Sequence, residues 1–501
     1  MEILERLASD SFWARCVKAC SWVTAGSIST QIIRGGRWII ITYLLAPEEI
    51  GLIILVWSVL GLLQELSDTG IKHAIIQNPR GLEDKYANSA WLMNLARGGI
   101  LMVIMYFIVP ILTQNIFGTT NSLYGKPQLT TLLKLSCLII AFDSLTSISM
   151  VLMRKNLKFG PVTKVVVIGH ITGTIATIIL TWVIREARGV ILGEAVTSLT
   201  ICILSYKLSP YRPQWRWSGT AAKALISYGL IAYLVTLVDA VGTRMDILIL
   251  GGIAQETDVA LYGLGMVAIS APCQVFSMLT VAVGFPAFSL IQHDRDALKK
   301  GIRETVQVIQ MFSLPLFAVI ALLAPDIVKI LPEKYAGTGA VLRWLSIYGL
   351  GSVFLRQMTP VLYAVNRVIW CVVRAGMQVI IIAILIVPLY RHMGLSGACW
   401  ARNSALIVTD IFIWMVVLRE LNWPWRQWFK DISMLGRALI AGGAATAITC
   451  GLLWLTGYEW SSYYWVRWLS CLGGVAGFIA VGVRHYIRNE KKYLISIHNI
   501  Y

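Results

Sequence analysis

The segment STQIIRGGRWIIITYLL, from Ser29 to Leu45, carries Arg34 and Arg37 inside a hydrophobic run. A guanidinium at the centre of a bilayer costs about 2.5–3.5 kcal/mol on the mildest insertion scales, so two in one helix need a compensating role. Three residues apart, they point to one helical face. The planar guanidinium fork donates paired hydrogen bonds to phosphate oxygens and stays charged at any accessible pH, so phosphate binding is the chemistry this pair fits. Gly35-Gly36 between them is expected to permit local unwinding or close backbone approach.

Other cations lie at similar depth: Arg97, Arg244, Arg356, Arg374 and Arg402, with Lys134 and Arg343 shallower and Lys164 and Arg467 near enough to span ends to snorkel. The interior carboxylates are Asp143, Glu194, Asp239, Asp246 and Asp410, with Glu65 and Asp68 nearer an edge. An ion pair locking two helices explains any one arginine as well as a ligand does. The excess of arginines over acids is expected to leave a cationic cavity for an anion, formed by Arg34, Arg37, Arg97, Arg244, Arg356, Arg374 and Arg402. In DAVGTRMD, Asp239 and Asp246 share a face beside Arg244. They form either a self-neutralised cluster or, with Asp143, the carboxylates that couple transport to a proton or sodium gradient.

These residues sit in a chain of 501 residues, 57% hydrophobic and only 14% charged. Apolar runs long enough to cross a hydrocarbon core of about 30 Å recur throughout. They predict an all-α integral membrane protein with fourteen spans, at 20–45, 48–70, 88–113, 129–153, 160–184, 189–207, 224–251, 259–290, 302–324, 339–364, 368–390, 394–418, 436–456 and 461–483. With the N-terminus inside, cytoplasmic segments hold 26 Lys and Arg against six outside. Both termini are therefore expected in the cytoplasm. Met1 to Lys18 lacks a small-residue cleavage site and is read as an interfacial segment, not a removable signal. The net charge of +17 sets topology and gives no reason to expect nucleic acid, because Trp and Tyr beside Lys and Arg at span ends form an interfacial belt.

Two halves repeat. Gly51 and Gly263 close matching outer loops, Leu133-Lys134 matches Leu342-Arg343, Met153-Arg154-Lys155-Asn156 matches Val365-Asn366-Arg367, and Gly189 to Gly193 matches Gly394 to Gly397, at offsets between 204 and 212. A duplicated six-span unit is even-numbered, so the copies are parallel, giving two six-helix lobes facing a central cleft plus a C-terminal hairpin. The expected domains are 1–210, 211–420 and 421–501. The nine cysteines lack CxxC spacing, so no metal site or disulfide framework is expected, and no cofactor. Pro47-Glu48-Glu49 superficially offers an acidic catalytic site, yet no carboxylate–histidine constellation or nucleotide-binding loop accompanies it, which disfavours a membrane glycosyltransferase, polymerase or ligase.

The chain resembles the Wzx-type polysaccharide transporters (oligosaccharide flippases) of the multidrug/oligosaccharidyl-lipid/polysaccharide exporter superfamily. The resemblance rests on GRWIIITYLLAPEEIGLIILVWSVLGLLQELSDTGIKHAIIQ (Gly36 to Gln77), RKNLKFGP (Arg154 to Pro161) and Leu225 to Leu290 with TRMDILILGGIAQETDVALYGLG and FPAFSLIQ. It implies alternating access and a cavity accepting the diphosphate of a polyprenyl-linked glycan, and it extends to Arg34, Arg37, Arg244 and Asp246. It further implies a bacterial inner-membrane location, a role in exopolysaccharide, capsule or O-antigen assembly, and a polysaccharide polymerase and chain-length regulator as partners. A drug or cation antiporter of the same superfamily is disfavoured by the cationic excess; a peptidoglycan-precursor flippase stays open.

Overall fold

The computed structural model describes residues 10–68, 70–78, 80–115, 122–156, 158–207, 211–279, 288, 294–365, 367–428, 471, 473–478 and 480. Twelve long helices run through the described part: α1 Asp10–Leu44, α2 Pro47–Leu66, α3 Asp84–Val103, α4 Pro127–Leu145, α5 Phe159–Ile184, α6 Ala187–Lys207, α7 Gly219–Ile253, α8 Glu256–Leu279, α9 Arg295–Val328, α10 Thr338–Arg356, α11 Ile369–Met393 and α12 Leu395–Glu420. They coincide with the first twelve expected spans. Ten described helices are long and apolar enough to cross a membrane; α1, which carries Arg34 and Arg37, and α7 are not among them. The expected spans 436–456 and 461–483 lie outside the described residues, apart from 471, 473–478 and 480.

Local chemistry explains the helix starts. Pro47 opens α2 with Glu48 and Glu49 in its first turn, where the missing N–H costs nothing and the macrodipole favours acids. The Glu49 carboxylate also accepts the Ala187 N–H at 2.6 Å, at the first residue of α6. Asp294 caps α9 by accepting from the N–H groups of Asp296 and Ala297. The helix α3 continues through a π-turn, Ile104–Ile108, into Val109–Asn115. Pro110 follows that turn and cannot donate to the Tyr106 carbonyl, so the wider turn falls where the regular ladder is already broken.

The fourth and tenth expected spans are each interrupted. A break at Thr146 separates α4 from a short helix Ser149–Lys155, and one at Gln357, 211 positions later, separates α10 from Met358–Ala364. The hairpins repeat too. A Cβ on Gly189 would overlap the backbone of Thr181, and one on Gly397 would overlap that of Leu389. In both halves a glycine lets the second helix cross the backbone eight residues back, a physical reason for the glycine match between halves.

The chain divides into two compact units: Met1–Leu264 with Leu331–Tyr335 and Gln378–Ala398, and Gly265–Ile330 with Ala336–Met377 and Cys399–Tyr501. Within the first, α5 packs on α1 and α6, α6 on α4, and α7 on α2 and α3. One end of this unit is tied by a cluster of Ile71, Ile75, Tyr86, Trp91, Ile148, Val151 and Leu225. The Lys164 ammonium lies over the Trp22 ring where α1 meets α5. Within the second unit, α9 packs against α10. Outward faces keep large apolar side chains exposed, among them Ile100, Phe107, Ile175, Trp182, Ile380 and Ile384, as helices facing lipid require.

Candidate functional site

Arg34 and Arg37 lie on the packed face of α1, with Ile32, Gly35, Gly36, Ile40 and Tyr43 on the exposed one. The helix runs unbroken through Gly35-Gly36, and a Cβ at either glycine would meet nothing within 4 Å. The expected unwinding or close approach is absent, because the glycines face away from α5 and α6.

Arg37 is 1% exposed. Its Nη1 donates to Glu194 Oε2 of α6 at 2.5 Å, and its guanidinium lies 5.8 Å from the Trp57 ring centroid, on α2. Arg34 is half-buried, makes no hydrogen bond or ion pair within 4 Å among the described residues, and interacts electrostatically with both Glu194 and Arg37. His170 on α5 joins the same electrostatic cluster, and its Nδ1 is buried without a hydrogen-bond partner, as is Nε of Arg37. Two guanidiniums thus share one carboxylate at the junction of α1, α5 and α6. His170 was accessible from the sequence as the only histidine in the middle of a span, but the charge count passed over it.

A second cluster forms where α7 meets α2. Arg244 Nη2 donates to Glu65 Oε1 at 2.7 Å. The guanidinium reaches Glu65 by crossing α2 at Gly61, where any Cβ would collide with it. Glu65 also lines a cavity of about 460 Å³ bounded by the ends of α2, α3 and α4 and the short helix Ser149–Lys155. Arg97 and Asp143 face the same cavity. Arg97 is fixed by Nε donating to Ser67 Oγ at 2.8 Å and Nη2 to the Gln64 carbonyl at 2.9 Å, while Gln64 Nε2 donates to Asp143 at 3.4 Å. The fold therefore gathers Arg97, Arg244 and Asp143, distant in sequence, around one end of the first unit. On α7, Asp239 is half-buried, whereas Asp246 is fully buried and accepts from the Tyr262 hydroxyl at 2.6 Å.

The remaining candidates sit in the second unit. Arg402, 1% exposed, donates from Nη2 to the Tyr348 hydroxyl at 2.8 Å and stacks 4.4 Å from that ring's centroid. Arg374 is buried on α11 and interacts electrostatically with Asp410 of α12. Arg356 ends α10, and its side chain lies outside the described residues. Among the described residues, no group of three or more His, Cys, Asp or Glu is placed to hold a metal ion.

Residues 40–336, more than half of the chain, match the family described as "Polysaccharide biosynthesis protein". The chain is 24% identical over 340 residues to an "Uncharacterized membrane protein in cps region" of Klebsiella pneumoniae, covering 67% of this chain and 68% of that one. It is 23% identical over 340 residues to "Lipopolysaccharide biosynthesis protein WzxC" of Escherichia coli (strain K12), covering 66% and 67% respectively. A structure titled "Lipid II flippase MurJ, inward closed conformation" aligns with a TM-score of 0.71 at 16% identity, over 93% of this chain and 98% of that chain. The chain belongs to the polysaccharide biosynthesis protein family and is a multi-pass membrane protein whose fold matches that of the MurJ structure.

Proposed function

We propose that this protein flips a polyprenyl-diphosphate-linked oligosaccharide repeat unit from the cytoplasmic to the outer leaflet of a bacterial inner membrane, supplying exopolysaccharide, capsule or O-antigen assembly. The observation that carries the reading is the shared carboxylate in α6: Glu194 bonds to Arg37 and leaves Arg34 half-buried with no ion pair of its own. A diphosphate supplies the missing negative charge, and guanidinium replaces headgroup hydration through paired hydrogen bonds. Family membership and the printed name of the Escherichia coli relative support a glycan precursor as cargo.

In this reading the lipid tail stays in the bilayer while alternating access swaps the open side. Arg97, Arg244, Arg356, Arg374 and Arg402 contribute further positive charge, and Asp239, Asp246 and Asp143 are the carboxylates that couple the cycle to a proton or sodium gradient. A polymerase and a chain-length regulator act on the product. The test is Arg34→Gln, which removes a charge that makes no hydrogen bond or close ion pair among the described residues. Thermal stability and membrane abundance are expected to stay within experimental error of wild type while polymer export falls at least tenfold. Export at the wild-type level with normal abundance refutes the role of Arg34 and, with it, the diphosphate site.

A further inference from the structure

The cavity of about 460 Å³ between α2, α3, α4 and the short helix Ser149–Lys155 is lined by chemistry that a phosphate site does not need. Three carboxylates face it, Glu65, Asp68 and Asp143, against two guanidiniums, Arg97 and Arg154, with the Asn94 amide between them. With Arg244 neutralising Glu65 from outside the lining, three acids face three guanidiniums, so an anion finds no net positive charge there. A bare metal cation meets two guanidiniums and an apolar wall that includes Leu101, Ile140 and Met150. We propose that this cavity is a saccharide subsite that receives a neutral sugar of the lipid-linked glycan, an inference that rests on the flippase reading above.

Each sugar hydroxyl both donates and accepts, and vicinal pairs match carboxylates and guanidiniums two bonds at a time. The lining supplies both kinds. Arg97 spends Nε and Nη2 on Ser67 and Gln64, and among the described residues neither its Nη1 nor the Arg154 guanidinium makes a hydrogen bond or ion pair. Trp91 already gives its indole N–H to the Tyr206 hydroxyl at 3.2 Å, so what it offers the cavity is ring surface, which together with the aliphatic wall suits the C–H faces of a pyranose. The volume falls within the roughly 300–1,000 Å³ of small-molecule sites.

Preorganisation supports the same use. Glu65 is held by Arg244, Asp143 by Gln64 and Arg97 by two bonds, so these polar groups lose little rotamer freedom when a ligand arrives. Asn94 donates to the Ser144 carbonyl at 2.9 Å, bracing α3 against α4 across the cavity.

The test uses the full chain in nanodiscs with four probes: undecaprenyl diphosphate alone, and the same lipid carrying one glucose, one galactose or one N-acetylglucosamine. Native mass spectrometry gives each Kd. At least one glycosylated probe is expected to bind wild type tenfold or more tightly than the bare carrier. Arg154→Ala, at an exposed side chain, is expected to cut that preference below threefold and leave bare-carrier affinity unchanged. Equal binding of all four probes to wild type overturns the sugar subsite while leaving the diphosphate site standing. Failure of the bare carrier and the glycosylated lipids alike to bind overturns both. An intact preference for the glycosylated probe in Arg154→Ala overturns the proposal.

Discussion

At the scale of single residues, the chain keeps buried arginines by giving most of them protein partners of graded strength: a carboxylate for Arg37 and for Arg244, a hydroxyl and a carbonyl for Arg97, a phenol and its ring for Arg402. Removing Glu194 alone strands Arg37, so Glu194→Ala is expected to destabilise the protein by about 3–5 kcal/mol, read as a fall in melting temperature of the detergent-solubilised chain. Removing the pair together, as Arg37→Met with Glu194→Leu, should recover most of that loss, because an apolar replacement leaves no charge stranded. A double variant no more stable than the single one would show that Glu194 matters for another reason. The residue types were legible in the sequence, and so was the shared face of Arg34 and Arg37. Which face they occupy was not, since helical spacing fixes relative and not absolute orientation. The Arg244–Glu65 pair, 179 residues apart, depends on tertiary packing that no local pattern encodes.

Among the helices, hydropathy located all twelve long described ones, ten of them apolar enough to cross a membrane, because the length of an apolar run is set by membrane thickness and is written directly in composition. It missed the breaks at Thr146 and Gln357, where the surrounding side chains are compatible with continuing a helix, and it missed the early start of α1 at Asp10, where charged residues hide a helix that extends past the apolar run. Glycines divide sharply by neighbourhood. A Cβ at Gly193 would overlap the Cα of Thr177 and force α5 and α6 apart, so Gly193→Ala is expected to cost about 1–3 kcal/mol of overpacking. Gly36→Ala meets open space and gains helix propensity of up to about 1 kcal/mol. Parallel melting curves check the pair: the first variant should melt lower than wild type and the second no lower. The opposite order would mean that α1 packs through its glycine face and not through its arginine face.

For the molecule as a whole, the orientation inferred from loop charge has a direct check. A cysteine replacing Ala336, exposed after α9, should react with an impermeant maleimide in intact cells, whereas one replacing Gln214, exposed before α7, should react only after permeabilisation. Among the described thiols, Cys202, Cys273, Cys371, Cys399 and Cys471 are buried and Cys137 is half-buried, and the parent protein without the new cysteine sets the background. Reversed labelling would invert every loop assignment. The length of α1 has a separate consequence. Its 35 residues rise about 52 Å, and the stretch from Trp22, under the Lys164 ammonium, to Leu44 accounts for about 33 Å of that, close to one hydrocarbon thickness. The preceding turns add about 18 Å to the same helix, more than one hydrocarbon core holds, and belong to the segment expected at the membrane interface. Thicker or thinner bilayers would shift those turns against the headgroups, so a fluorophore on them would gauge the depth at which the protein floats.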